Sequence, residues 1–307
     1  MNKTADLRVD LCGITLKNPV IAASGTYGFG REYSLLTDLN KVGGIAVKGL
    51  TLQPRQGNKS PRIVETPSGI LNSVGLQNPG VDAFIREELP FLRGYDTKII
   101  VNIAGNTMEE YVEMAVRLED ADIDFIELNI SCPNVRQGCA SFGATREGTY
   151  GITKAVRMAT DKPLIVKLTP NVTDIGEISR AAEEGGADCI SLINTMTGMV
   201  IDTSTCRPVL ANNTGGLSGP AVRPVALRMT YEAVQSVGIP VIGMGGITCG
   251  DDALQFIIAG AHAIMIGTWN FMDPDALART VREMETHLLH HGLKSIGALR
   301  NTIILNG

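Results

Sequence analysis

Lysine, asparagine and glycine recur in this chain at one kind of place, the end of a short apolar run. Eight such runs finish in Ser24, Lys48, Asn102, Asn129, Lys167, Asn194–Thr195, Gly245–Gly246 and Gly267–Thr268. The set is cationic, amide-rich and glycine-rich, and it holds no His, Asp or Glu. Ammonium groups and carboxamides form a receptor for a flat, anionic, hydrogen-bonding ligand, while bare glycine backbone suits a phosphate. None of these ends suits a metal. An organic cofactor must therefore supply much of the chemistry.

Lys167 has two readings. Beside the N1/O2 edge of a flavin its ammonium would stabilise a reduced anion; as a free amine it would form a Schiff base, as in barrel aldolases. Residue type alone leaves both open. Cys132, in Ser131-Cys132-Pro133-Asn134 just beyond the fourth run, is the candidate base. A free thiol has a pKa of about 8.5, so nearby lysine charge is needed to raise its thiolate fraction. An inert buried cysteine is the bland alternative; its place on the catalytic face favours chemistry. The four histidines (His262, His287, His290, His291) lie near the C-terminus, end no run, and read as packing or surface residues. Glu127 shares the strand face of Asn129 one layer deeper, and a structural ion pair with Lys167 is expected. For phosphate, Gly245–Gly246 and Gly267–Thr268 are joined by Gly215-Gly216-Leu217-Ser218-Gly219. One glycine cluster alone marks only a tight turn. Three in one sector favour a phosphate site.

These residues need a frame that brings strand ends together. The runs Val20–Ser24, Gly44–Lys48, Lys98–Asn102, Phe125–Asn129, Leu164–Lys167, Cys189–Asn194, Val241–Met244 and Ala263–Ile266 are short and rich in Val and Ile, as strands buried on both faces are. Helical patterns lie between them: Met108–Leu118 with Met108, Tyr111, Val112, Ala115 and Leu118 on one face, then Ile175–Ala182, Leu227–Val234 and Asp251–Ile258. Eight strand–helix units without a composition break predict an α/β fold, a single (β/α)8 TIM barrel domain over residues 1–307 with long insertions at the C-terminal face of the strands. The competitor, a doubly wound open sheet, has only the weak Gly28-Phe29-Gly30 echo of its phosphate turn. Two connections, Gly49 to Pro79 and Met196 to Pro220, are long; the second is expected to carry a hairpin around Val200–Asp202 and Pro208–Leu210. Both leave the catalytic face and are expected to wall or cover the pocket.

A formal charge of −5 with dispersed Lys and Arg argues against nucleic acid as the main partner. No apolar run approaches the roughly 18 residues of a membrane span, and the start lacks a signal-peptide stretch, so a cytoplasmic protein is expected. The six cysteines (Cys12, Cys132, Cys139, Cys189, Cys206, Cys249) show no C-x-x-C pair, zinc spacing or iron–sulfur pattern.

Taken together, the chain resembles the class 1 dihydroorotate dehydrogenases, specifically type B catalytic subunits. The resemblance rests on Gly57-Asn58-Lys59-Ser60-Pro61-Arg62, Glu65-Thr66-Pro67, Asn72-Ser73-Val74-Gly75-Leu76-Gln77-Asn78-Pro79-Gly80, Glu127 to Val135, Val166 to Asn171, Gly215 to Pro220 and Ile242 to Ile247. It spans nearly the whole chain. It implies FMN contacts from Ser24, Lys48, Gly49, Asn102, Asn129, Lys167, Ile193, Gly219, Gly245, Gly246, Gly267 and Thr268. Substrate contacts are implied for Lys48, Asn72, Ser73, Val74, Gly75, Leu76, Asn129, Asn134, Asn194 and Thr195, with Cys132 as catalytic base. The implied reaction is oxidation of dihydroorotate to orotate in pyrimidine biosynthesis. Electrons would leave through a partner subunit carrying FAD and a 2Fe–2S cluster to NAD, around a homodimer core of a heterotetramer. Cys139 and Trp269-Asn270-Phe271 depart from the family's usual look. A dihydropyrimidine dehydrogenase-type flavin barrel is the nearest alternative, and a Schiff-base aldolase the more distant one.

Overall fold

The computed structural model describes residues 4–131 and 142–306. Eight parallel strands close into a barrel in chain order: β1 (Val20–Ala22), β2 (Gly44–Ala46), β3 (Lys98–Ile103), β4 (Phe125–Asn129), β5 (Leu164–Lys167), β6 (Cys189–Leu192), β7 (Val241–Met244) and β8 (Ala263–Ile266). β8 pairs back onto β1. Every barrel-strand residue except Lys98 is buried, as a sheet enclosed by helices outside and its own lumen inside requires. The expected (β/α)8 barrel is the observed one. β1, β2 and β6 end two residues before the expected bounds. There the ladder continues only as single bonds, from the Ala23 N–H to Ile266 O, Val47 to Ile100 O and Ile193 to Met244 O, each 2.9–3.0 Å.

The connecting helices are α1 (Arg31–Ser34), α2 (residues 81–92, with a wide π turn at Phe84–Glu88), α3 (Met108–Leu118), α4 (Arg146–Arg157), α5 (Ile175–Glu184), α6 (Arg223–Ser236), α7 (Gly250–Ile258) and α8 (Ala276–His290). Thr107, Thr145 and Asp174 open α3, α4 and α5, each accepting a hydrogen bond from the N–H three residues on. The buried stripe of α3 is Tyr111, Met114, Ala115 and Leu118. Met114 takes the place expected for Val112, because it falls three residues after Tyr111 and four before Leu118.

Below the barrel, Val9–Leu11 and Ile14–Leu16 form a hairpin not anticipated from sequence. Its Leu11 and Leu16 are fully buried, and Cys12 Sγ donates to Asp188 O at 3.3 Å, just ahead of β6. The hairpin therefore caps the N-terminal pole. Above the barrel, the two long connections combine. An antiparallel sheet runs Met196–Gly198, Gly215–Ser218, Gly69–Asn72, Ile63–Thr66, and the expected hairpin appears as Ile201–Asp202 against Arg207–Pro208. Among the described residues no helix is long and apolar enough to cross a membrane.

His262 lies at the lower pole. Its Nδ1 accepts from the Val241 N–H at 3.4 Å, which requires the neutral ring. Burial, with the Arg300 charge adding and Asp10 opposing, lowers its pKa from 6.5 to about 4. In the unfolded chain the ring protonates near 6.5, so between pH 6.5 and 4 the unfolded state binds the extra proton. His262 therefore contributes stability above pH 6.5 that is lost as pH falls towards 4. Discounted for its partial exposure, the loss amounts to about 1–2 kcal/mol. Denaturant melts at pH 7 and 4.5 should show wild type losing that much more stability than His262→Gln.

Candidate active site

At the C-terminal ends of the barrel strands lies a cavity of about 1300 Å³, its open mouth included. Strand parity builds it. Outward positions are covered by helices, so polar residues near the tips can only face the lumen. Asn102, Asn129 and Lys167 are 0%, 7% and 4% exposed and line this cavity, with half-buried Lys48 beside them. Ser24, Gly49, Ile193, Asn194 and Thr195 complete its lower wall.

The floor is a hydrogen-bonded chain. Glu127, with no exposure, accepts from Asn102 Nδ2 at 2.5 Å and from Ser191 Oγ at 2.8 Å. The expected ion pair with Lys167 is looser, Nζ to Oε2 3.9 Å. Register explains the difference. Glu127 stands opposite Ile165 while Lys167 stands opposite Asn129, one step higher. Lys167 Nζ instead donates across the lumen to Ser24 Oγ at 3.0 Å. From Asn102 the chain continues: Asn129 Nδ2 donates to Asn102 Oδ1 (3.3 Å), Ser131 Oγ to Asn129 Oδ1 (2.9 Å), and Asn194 Nδ2 to Ser131 Oγ (2.6 Å). Asn194 Oδ1 finally accepts from the Thr195 N–H at 2.8 Å.

Glycine backbone forms one corner. Gly219, Gly245 and Gly246 line the cavity with φ of +104°, +131° and +71°, conformations that disfavour a side chain. A Cβ on Gly246 would lie 2.7 Å from Arg223 Cβ and 2.9 Å from Gly219 O. Gly267 and Thr268 face the same corner, where Thr268 Oγ1 donates to Ser218 Oγ at 2.8 Å. The loop after β7 is held by Asp252, which accepts from Thr248 N and Oγ1 and pairs with Arg223. Burial alone would raise the Asp252 carboxyl; the Thr248 hydrogen bonds and the Arg223 charge hold it below its usual range.

The run Gly215-Gly216-Leu217-Ser218 is a strand rather than a phosphate loop. Its registers with Met196–Gly198 and Gly69–Asn72 commit it to the covering sheet. Of the segment from Asn72 to Leu76, Ser73 does not line the cavity. Alternation explains this: Ile70, Asn72 and Val74 face the cavity, whereas Leu71 and Ser73 are buried on the other side. Val74, Gly75 and Leu76 do line it. Cys132, Asn134 and Cys139 lie outside the described residues. The apolar wall of Met244, Met265, Trp269 and Phe271 was not anticipated as part of the site. Parity could have found Met265, two residues before Gly267. Among the described residues, no group of three or more His, Cys, Asp or Glu could hold a metal.

The chain is similar to known proteins along nearly its whole length. A family model described as dihydroorotate dehydrogenase matches residues 6–288. The dihydroorotate dehydrogenase B (NAD(+)) catalytic subunit of Thermoanaerobacter pseudethanolicus is 54% identical over 294 residues, covering 96% of this chain and 97% of that one. Its counterpart from Geobacter sulfurreducens is 54% identical over 299 residues, with 96% and 98% covered. A crystal structure of DHODH from Eimeria tenella in complex with ferulenol aligns at a TM-score of 0.80 and 22% identity, covering 97% of this chain and 88% of that one, a likeness of fold.

The glycine corner yields a direct test. Gly246→Ala forces a Cβ into a positive-φ position against Arg223 and Gly219, and should cost about 1–3 kcal/mol of stability. Chemical denaturation of the ligand-free protein measures it. Unchanged stability would mean that the glycine serves ligand clearance alone.

Proposed function

The chain belongs to the dihydroorotate dehydrogenase family, and from that premise we propose that it oxidises dihydroorotate to orotate in pyrimidine biosynthesis, as the catalytic subunit of an assembly that delivers the electrons to NAD. The observation that carries this reading is the meeting, in one cavity, of Lys48 and Lys167 with the carboxamides of Asn102, Asn129 and Asn194.

The cofactor in this proposal is FMN. What supports it is the donor set: a corner where Gly219, Gly245 and Gly246 leave no room for side chains, suited to a phosphate, beside amides and cations suited to a flat polar ring. Ser24, Lys48, Gly49, Asn102, Asn129, Lys167, Ile193, Gly267 and Thr268 complete the proposed FMN contacts. Bound there, FMN would supply the two-electron acceptor for the hydride that leaves C6 of dihydroorotate. Cys132, as thiolate, takes the proton from C5, and the C5–C6 bond becomes the double bond of orotate. Lys48 neutralises the substrate carboxylate. Asn72, Asn129, Asn134, Asn194 and Thr195 hold the ring amides, with Val74, Gly75 and Leu76 walling the cavity beside them. Lys167 brings positive charge to the flavin ring, its Nζ held by Ser24. Two ammonium groups in one cavity, Lys48 and Lys167, favour a carboxylate-bearing substrate over a carboxylate-free pyrimidine.

Electron exit requires a second protein. The chain has no iron–sulfur pattern of its own, so a partner subunit with FAD and a 2Fe–2S cluster is proposed, around a homodimer of this chain in a cytoplasmic heterotetramer. Residues 1–307 act in it as one FMN-binding domain.

The purified protein should be yellow, and anaerobic dihydroorotate should bleach its flavin absorbance. A colourless preparation that stays so in added FMN overturns the reading. Cys132→Ala should retain the flavin spectrum while the rate of bleaching falls by about 10²-fold or more; a rate equal to wild type would remove Cys132 from its role. Efficient NAD reduction by the isolated chain would sink the partner proposal.

A further inference from the structure

Glu127 has no exposure, does not itself line the cavity, and is not used in the chemistry above. Yet it terminates the hydrogen-bonded chain that forms the cavity floor. A carboxylate can only accept, whereas each asparagine amide has one accepting and one donating end. The orientation of Asn102 follows from that asymmetry. Asn102 must turn its Nδ2 towards Glu127, which leaves its Oδ1 to accept from Asn129 Nδ2. Asn129 Oδ1 accepts from both the Ser131 N–H (3.3 Å) and the Ser131 hydroxyl, and Ser131 Oγ is left to accept from Asn194 Nδ2. The Thr195 N–H, a fixed donor, closes the far end on Asn194 Oδ1.

We infer that Glu127 is a positioning residue: it turns Asn102 to match Asn129 and Asn194, which the Ser131 and Thr195 N–H groups orient, so that the floor of the cavity presents N–H donors to its ligand. Each amide oxygen in the chain accepts a hydrogen bond from protein, and each Nδ2 spends one of its two hydrogens within the chain. The second hydrogen of each amide remains for the cavity. Reversed, the same side chains would offer carbonyl oxygens and repel a carboxylate or a ring carbonyl. Glutamine at position 127 still fits, but presents either end to Asn102, which loses its fixed direction.

This inference rests on the proposed function for the ligand's identity, but not for the amide geometry. Two measurements separate them. In ligand-free protein labelled with ¹⁵N at asparagine, the side-chain amides of Asn102, Asn129 and Asn194 should each give one resonance pair, that of Asn102 doubled or broadened in Glu127→Gln. Ser191→Ala removes the other hydrogen bond to Glu127 and should leave those resonances single. In the flavin-loaded protein, orotate titrated by calorimetry should bind Glu127→Gln about tenfold more weakly, or about 1.4 kcal/mol. Ser191→Ala should stay within about twofold of wild type. If Glu127→Gln does not fold, Ser131→Ala serves: it cuts the chain midway, and should move the Asn194 amide while Asn102 stays single. Equal orotate affinity in Glu127→Gln with unchanged amide resonances would overturn the inference, as would loss of order at Asn102 in Ser131→Ala. A wild type that binds no orotate would count against the proposed function, while the amide spectra would still decide the polarity.

Discussion

A carboxylate shut inside a barrel, with water excluded, must find its partners on other strands, and the upper half of this molecule is arranged around that demand. Glu127 on β4 is reached by Asn102 from β3 and, across the lumen face of β5, by Ser191 from β6. Lys167 crosses the lumen to Ser24, just past the end of β1 on the opposite wall. These bonds do little for net stability, since taking such groups out of water costs several kcal/mol per ion. Their effect is geometric. Two of them couple segments that share no backbone ladder, β4 with β6 and β5 with the end of β1, so the tips of β1, β3, β4, β5 and β6 are held in one fixed arrangement. A site made of several short side chains on different strands depends on that rigidity.

Over this floor the long connections behave as one body. Gly69–Asn72 from the second βα unit pairs with Gly215–Ser218 from the sixth, giving the roof backbone hydrogen bonds of its own. Close approach is what the glycines provide. A Cβ on Gly69 would meet Ser218 O at 2.0 Å, and one on Gly219 would meet Gly69 Cα at 2.6 Å. Because alternation along Gly69–Asn72 turns Ile70 and Asn72 inward, the roof supplies one apolar and one amide contact from a single strand. Roof and floor thus meet the ligand from opposite sides.

Much of this was legible in the sequence because the barrel's outer face is dry. A lysine or asparagine at the end of an apolar run has only the lumen to face, so Lys48, Asn102, Asn129 and Lys167 could be assigned to one cavity before any coordinates. β4, β5, β7 and β8 were also legible to the residue. What escaped was whatever depends on register or on contact between distant segments. Parity puts Glu127 and Lys167 on one side of the sheet, but only the pairing of Asn129 with Lys167 reveals the offset that favours Asn102 and Ser191 as partners. Glycine content suggested a phosphate loop at Gly215–Ser218, because a strand so poor in side chains carries no hydrophobic alternation. The lower hairpin, three residues on each arm, is too short for any periodicity to show.

The two poles of the barrel divide the work. Below, the hairpin adds the buried Leu11 and Leu16, and the paired lower strand positions Ile100 and Phe125 are wholly buried and apolar. Charged groups there stay at the rim, as Lys98 does with Asp124 at 3.1 Å. Above, the barrel strands carry Asn102, Glu127, Asn129 and Lys167 where Val or Leu would pack without any desolvation cost. Stability alone would favour the apolar choice, since replacing buried ionic groups by well-packed hydrophobes is commonly neutral or stabilising. The polar layer is therefore confined to the two uppermost turns of the pleat, directly under the cavity. The change from apolar to polar along β4, from Phe125 to Glu127 to Asn129, marks where the strands cease to serve the core and begin to serve the ligand.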